Sequence, residues 1–161
     1  PFELMDFIGL DVNFAVTRSV YEQTFHDARY KPSLTQQRLV EAGRLGRKTG
    51  RGFYDHAEGA ARPEPRRNEA LGASVVRRVL AMLVNEACDA VHWGVCSAAD
   101  VELAMTKGVN YPRGLLAWGD LLGPAAVVEE LERLRVEYQE DRYRVSPLLR
   151  RAARDGGRLA P

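Results

Sequence analysis

The sequence predicts an all-α protein. No stretch shows the period-two alternation of a half-buried strand, several segments repeat apolar residues at helical spacing, and those segments are punctuated by helix-starting and helix-stopping residues. The first of these, Leu4, Met5 and Ile8, forms a short helix stopped by Gly9. Asp11 is placed to cap the next helix, which carries Val12, Ala15, Val16 and Val20. Ser33-Leu34-Thr35-Gln36 has the pattern of a capping box and opens a helix that runs to Gly43. A basic glycine-rich loop, Gly46-Arg47-Lys48-Thr49-Gly50-Arg51-Gly52, follows and closes on Phe53-Tyr54. Residues 57–69, with two prolines and little to bury, read as a linker. Beyond them Val75, Val76, Val79, Leu80, Leu83, Ala87 and Val91 mark one stripe of a long helix ended by Gly94. Ser97-Ala98-Ala99-Asp100 is a second capping-box pattern, and Gly108 stops the helix it opens. Leu115, Leu116, Trp118 and Leu121 form another helix. Gly123-Pro124 starts the next, where proline's missing N–H is not needed. Ser146-Pro147 opens the last, ending near Gly156, and the residues after it read as a frayed end.

Composition narrows the function classes. Of 161 residues, 45% are hydrophobic and 28% charged, a globular profile. The 23 basic and 22 acidic side chains leave a net charge of +1, so nothing suggests a nucleic-acid surface, and any phosphate recognition must be local. No apolar run approaches the roughly 20 residues of a membrane helix, and residues 1–15 lack the basic start of a signal peptide. Cys88 and Cys96 have no zinc spacing and suit small core positions in a reduced, cytoplasmic protein, so no metal site is expected. Phe7, Phe14, Trp93 and Trp118 are expected in the core. His26, His56 and His92 do not cluster in sequence; His56 lies at the linker's edge, and packing and helix-dipole complementarity account for His92.

The two ends of the chain resemble each other. Asp6-Phe7-Ile8-Gly9 aligns with Asp120-Leu121-Leu122-Gly123, Arg29-Tyr30 with Arg142-Tyr143, Ser33 with Ser146, Arg38 with Arg151 and Gly43 with Gly156. Pro1 falls inside what reads as a helix, and the long helix of the second copy has no counterpart in the first. The expected organisation is a truncated first repeat over residues 1–56, a linker over 57–69 and a second repeat over 70–161.

The basic loop is the strongest functional candidate. Arg44, Arg47, Lys48 and Arg51 gather four cations among glycines that let the backbone approach a ligand. It is not a nucleotide P-loop, because the glycine that must precede the lysine is absent. Pro1-Phe2-Glu3-Leu4-Met5-Asp6-Phe7-Ile8-Gly9-Leu10-Asp11 is similar to the opening signature of the 3-hydroxyacyl-CoA dehydrogenase C-terminal domain. Leu45-Gly46-Arg47-Lys48-Thr49-Gly50-Arg51-Gly52-Phe53-Tyr54 resembles the closing motif of that domain. The stretch from Asn85-Glu86-Ala87 through Ala104-Met105, Gly108 and Tyr111-Pro112 resembles a second copy.

This resemblance implies a helical bundle like the C-terminal fold of 6-phosphogluconate dehydrogenase. It also implies an enzyme that oxidises 3-hydroxyacyl-CoA to 3-ketoacyl-CoA, with NAD as hydride acceptor and acyl-CoA as substrate. By the same resemblance Lys48 contacts NAD, and the helical region closes the cleft and dimerises. The dinucleotide fold and the catalytic His–Glu pair are implied to belong to a separate domain, so no catalytic residue is expected here and the fragment alone is expected to be inactive. The second copy departs from the family's pattern: Arg77-Arg78 stands where catalytic copies carry Asn-Arg, and no Lys-Thr-Gly loop follows it. Asn85 and Glu86 are therefore expected to be structural. The competing reading is a helical interaction or nucleic-acid-binding module.

Overall fold

A computed structural model describes residues 1–61 and 63–161; Arg62, inside the predicted linker, lies outside the described residues. Two compact units are present, Pro1–Arg67 and Asn68–Pro161. Among the described residues there is no β-strand; two isolated bridges, Gly46 with Arg51 and Arg51 with Asp55, tie the basic loop.

The first unit contains α1 (Phe2–Ile8), α2 (Leu10–Gln23), a 3₁₀ turn at Ala28–Tyr30, α3 (Leu34–Glu41) and a second 3₁₀ turn at Arg47–Thr49. Gly9 makes the elbow between α1 and α2 with φ 108°, a backbone that a β-carbon would strain. The sequence places Asp11 as the cap of α2, but the helix begins at Leu10, so Asp11 sits in its first turn instead, where a carboxylate still complements the helix dipole. The Ser33 hydroxyl does accept from Gln36 N, but the Gln36 amide does not return to complete the capping box. It donates instead to Asn13 Oδ1 at 2.7 Å, with Met5 Sδ at 3.6 Å, and so ties α3 to α2 and α1. Leu10 is the one fully buried apolar side chain among the described residues of this unit, while Val12, Val16 and Val20 along α2 are exposed. Phe7, expected in the core, is exposed as well, with Arg47 lying over its ring at 5.2 Å.

The second unit holds the main core. It runs α4 (Glu69–His92), α5 (Ala98–Leu103), a π-helical turn (Ala104–Gly108), α6 (Leu115–Leu122), α7 (Pro124–Tyr138), a 3₁₀ turn (Asp141–Tyr143) and α8 (Pro147–Asp155). Asn68 caps α4 by accepting from Leu71 N at 3.0 Å. The C-terminal half of α4 turns Ala81, Val84, Ala87 and Cys88 into a core completed by Leu116, Leu131, Leu134, Tyr143 and Leu149. Its N-terminal half behaves differently: Val75, Val76 and Val79, predicted on the buried stripe, are exposed. Trp93, another expected core residue, follows the helix end and is exposed too, whereas Trp118 packs on Tyr111. The Ser97–Asp100 capping box is present with both of its bonds.

Two polar side chains, the buried Asn85 and the half-buried Glu102, organise this unit. Asn85 donates to Arg144 O at 3.0 Å and accepts from Ser146 N at 2.8 Å, fixing the turn that enters α8. Glu102 accepts from Leu116 N at 2.7 Å and Ala117 N at 3.4 Å, supplying from α5 the N-terminal cap that α6 lacks. Gly114 makes room for it, since a β-carbon there would run into the Glu102 carboxylate.

Part of the element order recurs in the two units. Helices α1, α2 and α3 correspond to α6, α7 and α8, and the 3₁₀ turns Ala28–Tyr30 and Asp141–Tyr143 correspond as well. The elbow glycines share a backbone, Gly9 at φ 108° and Gly123 at φ 85°, as do the helix-ending Gly43 (φ 70°) and Gly156 (φ 67°). No counterpart of α4 and α5 stands among the described residues of the first unit.

Candidate functional site

The basic loop is built around the carboxylate of Asp6. Asp6 Oδ1 accepts from Phe53 N and Oδ2 from Tyr54 N, both at 2.9 Å, and the His56 ring nitrogen Nε2 lies 2.8 Å from Oδ2. An ionised carboxylate has no proton to give, so the ring donates. Burial alone would raise the Asp6 carboxyl, but the Tyr54 and Phe53 N–H groups and His56 together outweigh it and hold the group below its ordinary value. The loop closes over this anchor because it has no side chains in the way. A β-carbon at Gly52 would strike the Asp6 carboxylate, and one at Gly46 would strike the Asp6 carbonyl. Main-chain bonds complete the structure: Gly46 N donates to Arg51 O at 2.9 Å, His56 N to Gly50 O at 2.8 Å, and Leu10 N to Leu45 O at 3.1 Å. Thr49 Oγ1 accepts from Leu45 N at 2.9 Å.

Lys48 occupies the outer turn of this loop, against the first turn of α2. Its Nζ stands 2.6 Å from Asp11 Oδ2 and 2.5 Å from Oδ1, and both side chains remain partly exposed. The hydrogen bond from Lys48 holds the Asp11 carboxyl below its ordinary value. Asp11 therefore serves the loop rather than the helix end. The ammonium is paired with Asp11 and keeps further N–H donors.

The second unit carries the same anchor without the loop. Asp120, the counterpart of Asp6, accepts from Leu159 N at 2.7 Å and Ala160 N at 3.1 Å. Leu159 is buried, so the tail expected to fray is instead clasped onto α6. Ten positions separate Gly43 from Phe53 but only three separate Gly156 from Leu159, and the Lys-Thr-Gly segment is what the shorter connection omits. The matching register of Asp6 and Asp120 was the available signal for this second clasp. Nothing in the sequence marked His56 or Glu102.

The remaining candidates are structural. Arg78 lies over Tyr138 at 4.7 Å and Tyr143 at 5.2 Å and donates to the Tyr143 hydroxyl, so a guanidinium fills space beside two aromatic rings. Arg77 lines a cleft between α4 and α7 with Glu129, Glu130 and Arg133. Burial, with Asp89 and Asp120 nearby, pushes the Cys88 thiol up to about 12, which makes it an inert core residue. No group of three or more His, Cys, Asp or Glu side chains among the described residues could hold a metal ion.

The profile of the 3-hydroxyacyl-CoA dehydrogenase C-terminal domain matches residues 1–56 and 75–159, and the chain belongs to that family. It is similar to 3-hydroxyadipyl-CoA dehydrogenase of Escherichia coli (strain K12), at 32% identity over 95% of this chain and 50% of the relative. A 3-hydroxybutyryl-CoA dehydrogenase of Bradyrhizobium diazoefficiens is 46% identical over 42% of this chain and 22% of its own length. The crystal structure of 3-hydroxybutyryl-CoA dehydrogenase from Escherichia coli K12 superposes with a TM-score of 0.80 at 31% identity, covering 95% of this chain and 50% of that one. The chain thus spans about half the length of the two Escherichia coli relatives.

Proposed function

We propose that this chain serves as the helical C-terminal region of an NAD-dependent 3-hydroxyacyl-CoA dehydrogenase, a cytoplasmic enzyme that oxidises the 3-hydroxyl of an acyl-CoA to a ketone. The observation that carries the proposal is the Asp6-clasped loop presenting Lys48 beside Asp11, in a chain of this family. Bound NAD supplies the hydride acceptor. The residues fit that group: the loop brings an ammonium and neighbouring guanidinium groups to an anionic, hydroxyl-rich molecule, and its glycines let the main chain come close. Asp11 orients Lys48, and the clasp on Asp6 holds the loop without side-chain bulk. A dinucleotide fold and a His–Glu pair in a further domain carry the chemistry, so the 161-residue chain alone does not oxidise 3-hydroxybutyryl-CoA. Balanced charge and family membership both disfavour the nucleic-acid-binding alternative.

Self-association belongs to the same reading. Val12, Val16 and Val20 form an exposed apolar row on α2, which favours contact with a second copy. The cofactor assignment is tested by steady-state kinetics on the enzyme that contains this chain. Lys48→Ala raises the KM for NAD about tenfold, as expected for loss of a charge-assisted contact, while Lys107→Ala leaves it unchanged. Equal effects from the two lysines overturn the assignment.

A further inference from the structure

His56 is joined to the loop at two points. Its main-chain N–H donates to Gly50 O at 2.8 Å, two residues beyond Lys48, and its ring donates to the buried Asp6 carboxylate at 2.8 Å. The Asp6 side chain is fully buried and that of His56 is 14% exposed, so the carboxylate end of this bond is shielded from competing water. The second unit provides an internal comparison. There Asp120 receives the equivalent pair of main-chain N–H groups, and the charged side chain near it is that of the largely exposed Arg158, at 3.6 Å. There two N–H bonds, together with the burial of Leu159, hold the chain end onto the helix without a ring bond. The ring bond is found in the copy whose clasp also carries a ten-position loop with a lysine at its turn.

A carboxylate anchored only by Phe53 and Tyr54 would fix the loop's exit. Adding His56 closes a ring from Asp6 through the imidazole and main chain of His56 to Gly50, and so constrains the turn on which Lys48 stands. We propose that His56 is a positioning residue that sets the Lys48 turn for the cofactor, acting through Asp6 and Gly50 without touching the ligand. The proposal rests on the assignment of Lys48 to NAD, and its test separates the two.

Two measurements are combined. In the 161-residue chain, amide hydrogen exchange at Phe53, Tyr54 and His56 reads the clasp directly. His56→Leu accelerates it about tenfold, as expected for loss of one hydrogen bond to a charged group, and His56→Gln, whose amide can still donate, restores most of the protection. In the full enzyme, His56→Leu raises the KM for NAD about fivefold to tenfold with kcat and the acyl-CoA KM within twofold of the parent, and His56→Gln recovers most of the loss. Unchanged exchange in His56→Leu overturns the proposal whatever the kinetics. Faster exchange with a normal NAD KM, while Lys48→Ala raises that KM, also overturns it. Faster exchange with both variants kinetically silent overturns the cofactor assignment of Lys48, and the positioning role with it. A global loss of protection in His56→Leu, together with unaltered exchange and KM in His56→Gln and Lys48→Ala, refutes it in favour of a purely structural histidine.

Discussion

Removing the Asn85 side chain tests how the second unit is held together. Asn85 is buried on α4 and satisfies two main-chain groups at the entrance to α8, accepting from Ser146 N and donating to Arg144 O. Asn85→Ala strands both, and a buried backbone group without a partner costs about 1–3 kcal/mol. Taking about 1.5 kcal/mol for each group gives a loss of about 3 kcal/mol. For a unit of this size that lowers Tm by about 12–24 °C. Tryptophan fluorescence makes the assay selective: Trp93 and Trp118 both lie in the second unit, and the first has no tryptophan. Thermal unfolding followed by that signal therefore reports the unit containing Asn85. A Tm within about 3 °C of the parent, less than 1 kcal/mol on this scale, refutes the claim that Asn85 organises the α8 entrance.

Acid should loosen the first unit through Asp6. Its carboxyl is held low in the fold, so the stabilisation is complete above the ordinary carboxylate value and is lost as pH falls through the depressed one. Amide signals of Phe53 and Tyr54, followed below pH 4, should broaden or exchange in the parent, and Asp6→Asn should remove that pH dependence while lowering protection at neutral pH. Gly119→Ala should destabilise the second unit by about 1–3 kcal/mol through overpacking, because its β-carbon would lie 2.6 Å from Leu159 Cδ1 and 2.7 Å from Val84 Cγ1; the same fluorescence melt checks it. Light scattering on the 18.0 kDa chain should show association that grows with concentration and weakens in a Val12, Val16, Val20 triple replacement by serine; a monomer at all concentrations would remove the α2 row as a contact.

The helices were legible because periodicity and punctuation agreed. Glycine, proline and capping serines marked many of the places where the chain turns, and Gly9 and Gly43 recur as Gly123 and Gly156. What escaped was interaction at a distance. Periodicity placed Val75, Val76 and Val79 on a stripe but could not tell that the burying neighbours reach only the later half of α4. Aromatic residues were assumed to be core on hydrophobicity alone, yet Phe7 and Trp93 lie at helix ends where little packs over them. Asp11 looked like a cap because its partner Lys48 is 37 residues away, and Gln36 looked like half of a capping box because its partner Asn13 is on another helix. The lysine loop was visible as a motif. Its anchor was not, since the carboxylate reads main-chain N–H groups that leave no trace in the letters.

That last property has an evolutionary side. A clasp that recognises only peptide N–H groups does not depend on which side chains follow, and it forbids only proline at the donor positions. The clasp itself asks of residues 53, 54, 159 and 160 only a main-chain N–H, although packing restricts the buried Leu159 and the Phe53 ring stacked on Phe2, and the span before them can lengthen or shrink with the chain end still fastened to its helix. The two copies record both outcomes on one scaffold: a long insert around a lysine in one, and a bare three-position connection in the other. A scaffold that tolerates both can gain or lose a loop between a helix end and its clasp while the clasp itself stays the same.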